Sequence, residues 1–385
     1  MMFQGATPFS MGGSNQIFGR SKLDMSISQS CINEHPLIQS IIAIGNPIVD
    51  ITVNIDKDTI EKYGLEWGRT VFYNERNAKF FDELDKKSIV TYTLGGSILN
   101  TLRVCSWCLN MEDNDKGKFR ITMLGCVGND IYKEKIINSL KDSNVEPLLE
   151  INSETKTSLC AVGIYKKERC LVPQINASRL LTNDFIKEKE QIIESHDSLL
   201  IEGYFLRENY DVCKMLCEQF NNENKLVILT LSAVVMVQNY YEKFMEIANK
   251  ADMIIGNMEE AEVLAGGKGA TFQQTFENVH KKLIPRNRTL VVTCGSNGVF
   301  CSKFSYTSMR LELILQSFPN EIKNDLIVDL NGAGDGFLGG FLATYLKGKS
   351  LYNCCRVGND AASQILRNIG CTFNKTQKIK MDEQY

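Results

Sequence analysis

From Ile41 onward the chain repeats one pattern: a short apolar run, a small or polar residue at its end, then apolar positions spaced three and four apart. Runs of this kind predict strands at Ile41–Ile44, Ile89–Leu94, Ile121–Val127, Leu159–Tyr165, Leu199–Glu202, Leu226–Leu231, Met253–Ile255, Leu290–Thr293 and Leu326–Val328. The helical period predicts helices near 208–221, 236–249, 271–284, 334–347 and 350–367. Strand and helix alternate across 198–368, and parallel strands need crossovers of that length. The expected fold class is therefore α/β: a doubly wound, mostly parallel sheet with helices on both faces. Two stretches, 51–96 and 155–180, hold short strand-like runs with fewer long helices and predict a small inserted β-sheet lid. Residues 1–38 are rich in Ser, Gly, Gln and Asn, follow neither period, and predict a mobile N-terminal extension. The large α/β catalytic domain is then expected over 39–50, 70–89, 97–154 and 181–385, and the lid over 51–69, 90–96 and 155–180.

Composition narrows the partners. Lys and Arg number 43 and Asp and Glu 46, a net charge of −3, and no long basic run concentrates a field on nucleic acid or anionic lipid. The longest apolar stretch, Leu226–Val237, contains Thr230 and Ser232 and falls short of the roughly 20 residues of a membrane helix. Neither nucleic acid nor membrane is an expected partner. The 13 cysteines are too sparse in 385 residues for a disulfide scaffold, and the N-terminus lacks a secretory signal, so reduced thiols in the cytoplasm are expected. The single CxxC, Cys105-Ser-Trp-Cys108, has no second pair, and the chain holds only His35, His196 and His280. Buried thiols fit better than a metal or redox site.

In such sheets ligands bind beyond the carboxyl ends of the strands, so the residues just after each run carry the candidate chemistry. The segment Asp329-Leu-Asn331-Gly332-Ala333-Gly334-Asp335 opens a helical period. The amides of Gly332, Ala333 and Gly334 at a helix start would converge on an anion. A carboxylate among them, Asp335, would repel a phosphate unless it accepts a proton in the reaction; otherwise it is a helix-terminal Asp favoured by the dipole. Gly336, Gly339 and Gly340 each cost about 1 kcal/mol in a helix relative to Ala, which a close approach of ligand or neighbouring element would offset. Gly334-x-Gly336-x-x-Gly339 also satisfies a dinucleotide fingerprint, but the carboxylate in its second position and the missing downstream acid argue against an oxidoreductase.

Three further segments complete the set. In Leu94-Gly95-Gly96-Ser97-Ile-Leu-Asn100 the paired glycines admit a close ligand, and Ser97 and Asn100 suit hydroxyls, although Ser97 could simply cap a helix. In Gly45-Asn46-Pro-Ile-Val-Asp50 the carboxylate could accept from two vicinal hydroxyls of a sugar. Asn257-x-x-Glu260 either holds the water shell of Mg²⁺ or forms a helix capping box. Arg169 lies in a charged turn of the expected lid.

Taken in order, Asn46…Asp50, Gly95-Gly96…Asn100, Gly125-Cys-Val-Gly-Asn-Asp130, Asn257-x-x-Glu260 and Asn331-Gly-Ala-Gly-Asp335 resemble the ribokinase-like sugar and nucleoside kinase family, from about Ile41 to Phe373. Gly203-Tyr-Phe-Leu206 and Gly256-Asn-Met-Glu-Glu-Ala261 are most similar to members that act on adenosine. The resemblance implies ATP- and Mg²⁺-dependent phosphorylation of the adenosine 5′-hydroxyl to AMP and ADP, by a monomer. It implies Asp335 as general base, with Gly332, Ala333 and Gly334 on the transferring phosphoryl group and Arg169 swinging over the phosphates. Asp50, Gly95, Gly96 and Asn100 would hold the ribose, Asn46 and Ser97 would reach base or ribose, Phe205 would stack on adenine, and Leu171 would cover the base. Asn257, Glu260, Thr293, Gly295, Asn331 and Asn359 would line the ATP side, with Mg²⁺ held by Asn257 and Glu260 through water. Another purine nucleoside, or a free sugar such as ribose, is the rival substrate within the class. A non-catalytic nucleoside sensor is the rival outside it.

Overall fold

The computed structural model describes residues 24–27, 38–84, 90–110, 117–165, 168–316, 322, 326–374, 376, 377 and 379. Its strands are β1 (Asp24–Ile27), β2 (Ser40–Ile44), β3 (Ile48–Asn54), β4 (Thr91–Gly95), β5 (Arg120–Gly128), β6 (Glu146–Asn152), β7 (Ser158–Tyr165), β8 (Glu168–Gln174), β9 (Ser198–Ile201), β10 (Leu226–Thr230), β11 (Met253–Asn257), β12 (Arg288–Thr293), β13 (Val299–Ser305) and β14 (Arg310–Gln316). Ten form one sheet in the order β1-β14-β13-β12-β11-β10-β9-β2-β5-β6, and β4-β3-β7-β8 form a second. From β12 to β6 every neighbouring pair of the large sheet is parallel. The hairpin β13–β14 runs antiparallel against β12, and β1 adds in parallel to its edge.

The double winding can be read from β2 alone, because alternate side chains of a strand point to opposite faces. Ile41 and Ala43 pack with helices Ser97–Leu109, Ala333–Leu346 and Leu351–Ile365. Ile42 and Ile44 pack on the other face with helices Tyr210–Asn222, Tyr241–Lys250 and Phe272–Lys282. All four side chains are fully buried, and each of the three isoleucines contributes about 1.5–3 kcal/mol by leaving water. The winding reverses at β2, between β9 and β5, so the crevice of the fold opens at the carboxyl ends of β2 and β9.

The small sheet buries one face under helices Lys57–Tyr63 and Glu75–Leu84, through Ile51, Val53, Ile60, Phe80, Leu84 and Val172. Its other face carries Ile48, Cys160 and Val162, with Leu171 and Ile175 against them. Asp50 stands opposite Cys160, and Arg169 opposite Ile164, on that second face.

Several expectations need correction. The apolar run Leu326–Val328 is not a strand: Leu326 and Val328 are about half exposed, and the Val328 amide donates to the Leu366 carbonyl rather than to a sheet neighbour. The helix expected near 236–249 is two, Val234–Asn239 and Tyr241–Lys250, broken at Tyr240. Within the expected mobile extension, β1 is a strand and Ile38 is buried; residues 1–23 and 28–37 lie outside the described residues, as does Ile89. Helix Glu75–Leu84, assigned from the sequence to the large domain, packs on the small sheet through Phe80 and Leu84. The described cysteines are all free, and burial pushes the Cys105 and Cys108 thiols up, which makes them inert packing groups. No helix among the described residues is long and apolar enough to cross a membrane.

Candidate active site

The glycines of the 333–346 helix bring its neighbours close, and that approach builds the site. A Cβ on Gly336 would lie 2.7 Å from Ile365 Cγ1, on Gly339 2.6 Å from Val104 Cβ, and on Gly340 2.7 Å from the Val357 carbonyl. Neighbouring helices, not a ligand, occupy that space, so Gly336 and Gly339 of the dinucleotide fingerprint are packing positions here. The contact with helix 97–109 carries Ser97 and Asn100 onto Asp335, in the first turn of the 333–346 helix. Ser97 Oγ donates to Asp335 at 2.7 Å and Asn100 Nδ2 at 3.0 Å. Burial pushes the Asp335 carboxyl up to about 6, while these two donors pull it back. A group of that strength is ionised at neutral pH and still basic enough to take a proton.

Ahead of it lies the turn that starts the helix. Gly332 caps the helix with φ 79, and a Cβ there would press on Cys371. A Cβ on Gly334 would meet no atom within 4 Å, so the turn is open at that point. Just before it, Asp329 binds the Arg169 guanidinium at 2.7 Å, with both side chains buried. Asp329 also accepts from the Gly370 amide at 2.6 Å and from the backbone and side chain of Asn331 at 3.1 and 3.2 Å. Asn331, expected on the nucleotide side, is thus turned onto Asp329, and Arg169 ties the small sheet to the loop that leads into the 333–346 helix.

Asp50 completes the acidic part of the crevice. Burial chiefly pushes its carboxyl up to about 7; Arg169 lowers it, and the charges of Asp335 and Asp329 raise it. The paired glycines admit protein groups: a Cβ on Gly95 would collide with the Asp50 carboxylate, and one on Gly96, at φ 89, with the Asn46 carbonyl. Asn46 is buried, and its backbone and side-chain N–H groups donate to Glu202 at 2.7 and 3.0 Å. Sequence reasoning assigned Glu202 no role; an acid closing the apolar run Leu199–Glu202 was its only signal.

The aromatic assignment changes. Phe205 is 1% exposed and packs in the core beneath the large sheet, so it offers no face to a ligand. The preceding residue, Tyr204, is 37% exposed. The turn Gly203–Arg207 alternates the two rings, a choice that adjacent aromatics in a sequence do not disclose. Leu171 is partly buried on the crevice face of the small sheet.

On the other side of the crevice, Asn257 and Thr293 stand opposite each other at the ends of β11 and β12. Thr293 Oγ1 lies 3.5 Å from the Gly256 carbonyl, Gly295 starts a tight turn at φ 56 with open space beside it, and Asn359 lies on helix 351–365. Asn257 and Glu260 form a reciprocal capping box, with Asn257 Nδ2 also donating to Glu260 at 2.7 Å. Burial pushes Glu260 up to about 7, and among the described residues no three acidic, His or Cys side chains gather as metal ligands. These residues do not form a direct Mg²⁺ site; only a contact through water is compatible with them.

Comparison with known proteins gives the family. The pfkB family carbohydrate kinases match residues 59–378. Adenosine kinase of Dictyostelium discoideum is 27% identical over 341 residues, covering 86% of this chain and 96% of that protein. Adenosine kinase of Schizosaccharomyces pombe is 26% identical, covering 87% and 96%. Among solved structures, Schistosoma mansoni adenosine kinase with 2-fluoroadenosine superposes with a TM-score of 0.76 at 24% identity, covering 88% of this chain and 98% of that one. A probable sugar kinase from Rhizobium etli superposes with a TM-score of 0.73 at 19% identity, covering 87% and 96%, so the fold is shared beyond nucleoside enzymes. With the match spanning most of its length and the open turn at Gly334 beside a partly buried carboxylate, the chain belongs to the pfkB family of carbohydrate kinases.

Proposed function

We propose that this protein transfers the γ-phosphoryl group of ATP to the 5′-hydroxyl of adenosine, giving AMP and ADP. The observation that carries the reading is Asp335, a carboxyl pushed up to about 6, held by Ser97 and Asn100 beside the open amide turn at Gly334. The relatives named adenosine kinases, which match almost end to end, select the acceptor. The ribose hydroxyls bind Asp50, and the 5′-hydroxyl faces Asp335 and gives up its proton there. The new bond joins the 5′-oxygen to the γ-phosphorus, the bond to the β,γ-bridging oxygen breaks, and its electrons leave on ADP. The amides of Gly332–Asp335 stabilise charge on the transferred oxygens, and Arg169 moves from Asp329 to the phosphates as the small sheet closes out water. Ser97 and Asn100 orient the base rather than the ribose, and Tyr204 takes the stacking role first assigned to Phe205. Mg²⁺ would offset charge on the phosphates, and Asn257 and Glu260 would hold it through water. We further read the protein as a monomer, and as cytoplasmic on cysteines too sparse for a disulfide scaffold.

ADP formation across adenosine, inosine, guanosine and ribose tests the reading. Adenosine should have the highest kcat/KM, and a preference for ribose would overturn it. Nucleoside binding with no ADP formed over hours would mark a sensor instead. Tyr204→Ala should raise the KM for adenosine about 2- to 10-fold, the worth of one stacking contact. No change in that KM would remove Tyr204 from the base site.

A further inference from the structure

Glu202 closes β9 at the crevice, and the reaction described above makes no use of it. Its side chain is 1% exposed, and the groups that meet its carboxylate are N–H donors of neutral residues: the Asn46 amide at 2.7 Å, Asn46 Nδ2 at 3.0 Å and the Ile98 amide. Burial pushes the carboxyl up to about 7, the Asp335 charge pushes the same way, and these donors pull it down. A buried carboxylate without a cation costs stability, which a neutral side chain at this position would avoid.

What the carboxylate holds explains its presence. Helix 97–109 begins at Gly96, which has no side chain to cap it, and the helix has no side-chain cap of its own. Glu202 supplies the missing acceptor from another strand, at the end of the dipole that favours negative charge. It also presses on Gly45, where a Cβ would lie 2.8 Å from both Glu202 Oε2 and Ile98 Cγ1. The end of β2, the end of β9 and the first turn of the helix therefore interlock on one side chain. That same turn presents Ser97 and Asn100 to Asp335.

We propose that Glu202 is a positioning residue for phosphoryl transfer: it fixes the Gly45–Asn46 turn and the start of helix 97–109, and through Ser97 and Asn100 it sets where the Asp335 carboxylate sits. The inference rests on Asp335 as proton acceptor and is independent of which hydroxyl compound is the substrate. Glu202→Gln preserves volume but replaces one acceptor oxygen with an amino group, so the three donors compete for one oxygen.

Hydrogen exchange and kinetics of the full chain test it together, using whichever acceptor the wild-type protein turns over. In Glu202→Gln at least one of the Asn46 and Ile98 amides should exchange more than about 10-fold faster, since both Asn46 donors share Oε2 and a lost charge-assisted bond is worth about 1.5–3 kcal/mol. The kcat should fall about 10- to 100-fold, as for a displacement of order 1 Å, while the KM for ATP stays within about 2-fold. In an Asp335→Asn background the same substitution should cost nothing further, because its effect passes through Asp335. Unchanged amide exchange, an unchanged kcat, or losses that multiply in the double variant would each overturn the proposal. A wild-type chain that turns over ribose but not adenosine would sink only the substrate reading. One that turns over no acceptor would sink the base role of Asp335 and this inference with it.

Discussion

Asp335→Asn should make the protein more stable and nearly inactive, and the two effects have separate physical origins. In the wild type, Ser97 Oγ and Asn100 Nδ2 both donate to the carboxylate, at 2.7 and 3.0 Å. An Asn can turn its oxygen to Asn100 and its amino group to Ser97, whose hydroxyl then accepts, so both bonds survive. What is lost is the charge. Burial has pushed the Asp335 carboxyl from 3.8 to about 6. A folded value above the unfolded one means the native state holds the proton more tightly. This contribution is therefore fully present below about pH 4 and is lost as pH rises through about 6. At about 1.4 kcal/mol per pH unit, the ionised side chain costs of order 2–3 kcal/mol at pH 8, which the amide does not incur.

Urea unfolding at pH 8 should thus place Asp335→Asn above the wild type by up to that amount, with the gap closing near pH 4. Catalysis should move the other way: kcat falls 10²- to 10⁴-fold, the range of general base catalysis, or about 3–5 kcal/mol of barrier. Wild-type kcat should also drop as pH falls below about 6, where Asp335 takes up its proton, and the variant should lose that limb. A variant keeping more than a tenth of wild-type kcat would refute the base role. One no more stable than wild type at pH 8 would refute the assigned cost of burial.

Two further outcomes follow from the crevice. Arg169→Met and Asp329→Leu should each destabilise the protein by about 3–5 kcal/mol, because each strands a buried charge, while the double variant should lose far less than their sum. Additivity within about 0.5 kcal/mol in chemical denaturation would mean that the pair is not coupled. Gly96→Ala should impair adenosine turnover as well as stability, since the new Cβ meets the Asn46 carbonyl. Gly117→Ala, at φ 76 with open space around it, should cost only about 1–2 kcal/mol of backbone strain. Equal loss of turnover in the two variants would show that the close approach at Gly96 is unimportant.

The alternation of apolar runs with helical periods was enough to locate the parallel strands from β9 to β12, because each is buried on both faces and reads as an unbroken apolar stretch. Half-exposed strands were harder. The β6 strand and the β13–β14 hairpin mix polar and apolar residues, and without knowing which face is covered their period of two does not stand out. Leu326–Val328 failed in the opposite direction: three apolar residues resemble a strand until no neighbour offers them a ladder. For Asn257 and Glu260 the sequence left a metal shell and a helix cap equally open; the structure shows the cap, formed by reciprocal hydrogen bonds.

By itself the sequence determined the alternating α/β plan and the inserted small sheet, and it singled out Asp335, behind a run of small residues, as the candidate for the chemistry. These are local matters of period, glycine placement and charge within a few residues. Which side chains meet was decided only by the tertiary structure, because partners are chosen by packing between segments far apart in the chain. Ser97 and Asn100 turned out to serve Asp335, 238 and 235 residues away. Arg169 found Asp329 across the crevice, Glu202 took Asn46 from 156 residues earlier, and Tyr204 rather than Phe205 kept an exposed face. A carboxylate's role depends on the donors and the burial around it, and those exist only once the strands and helices that carry them have been brought together.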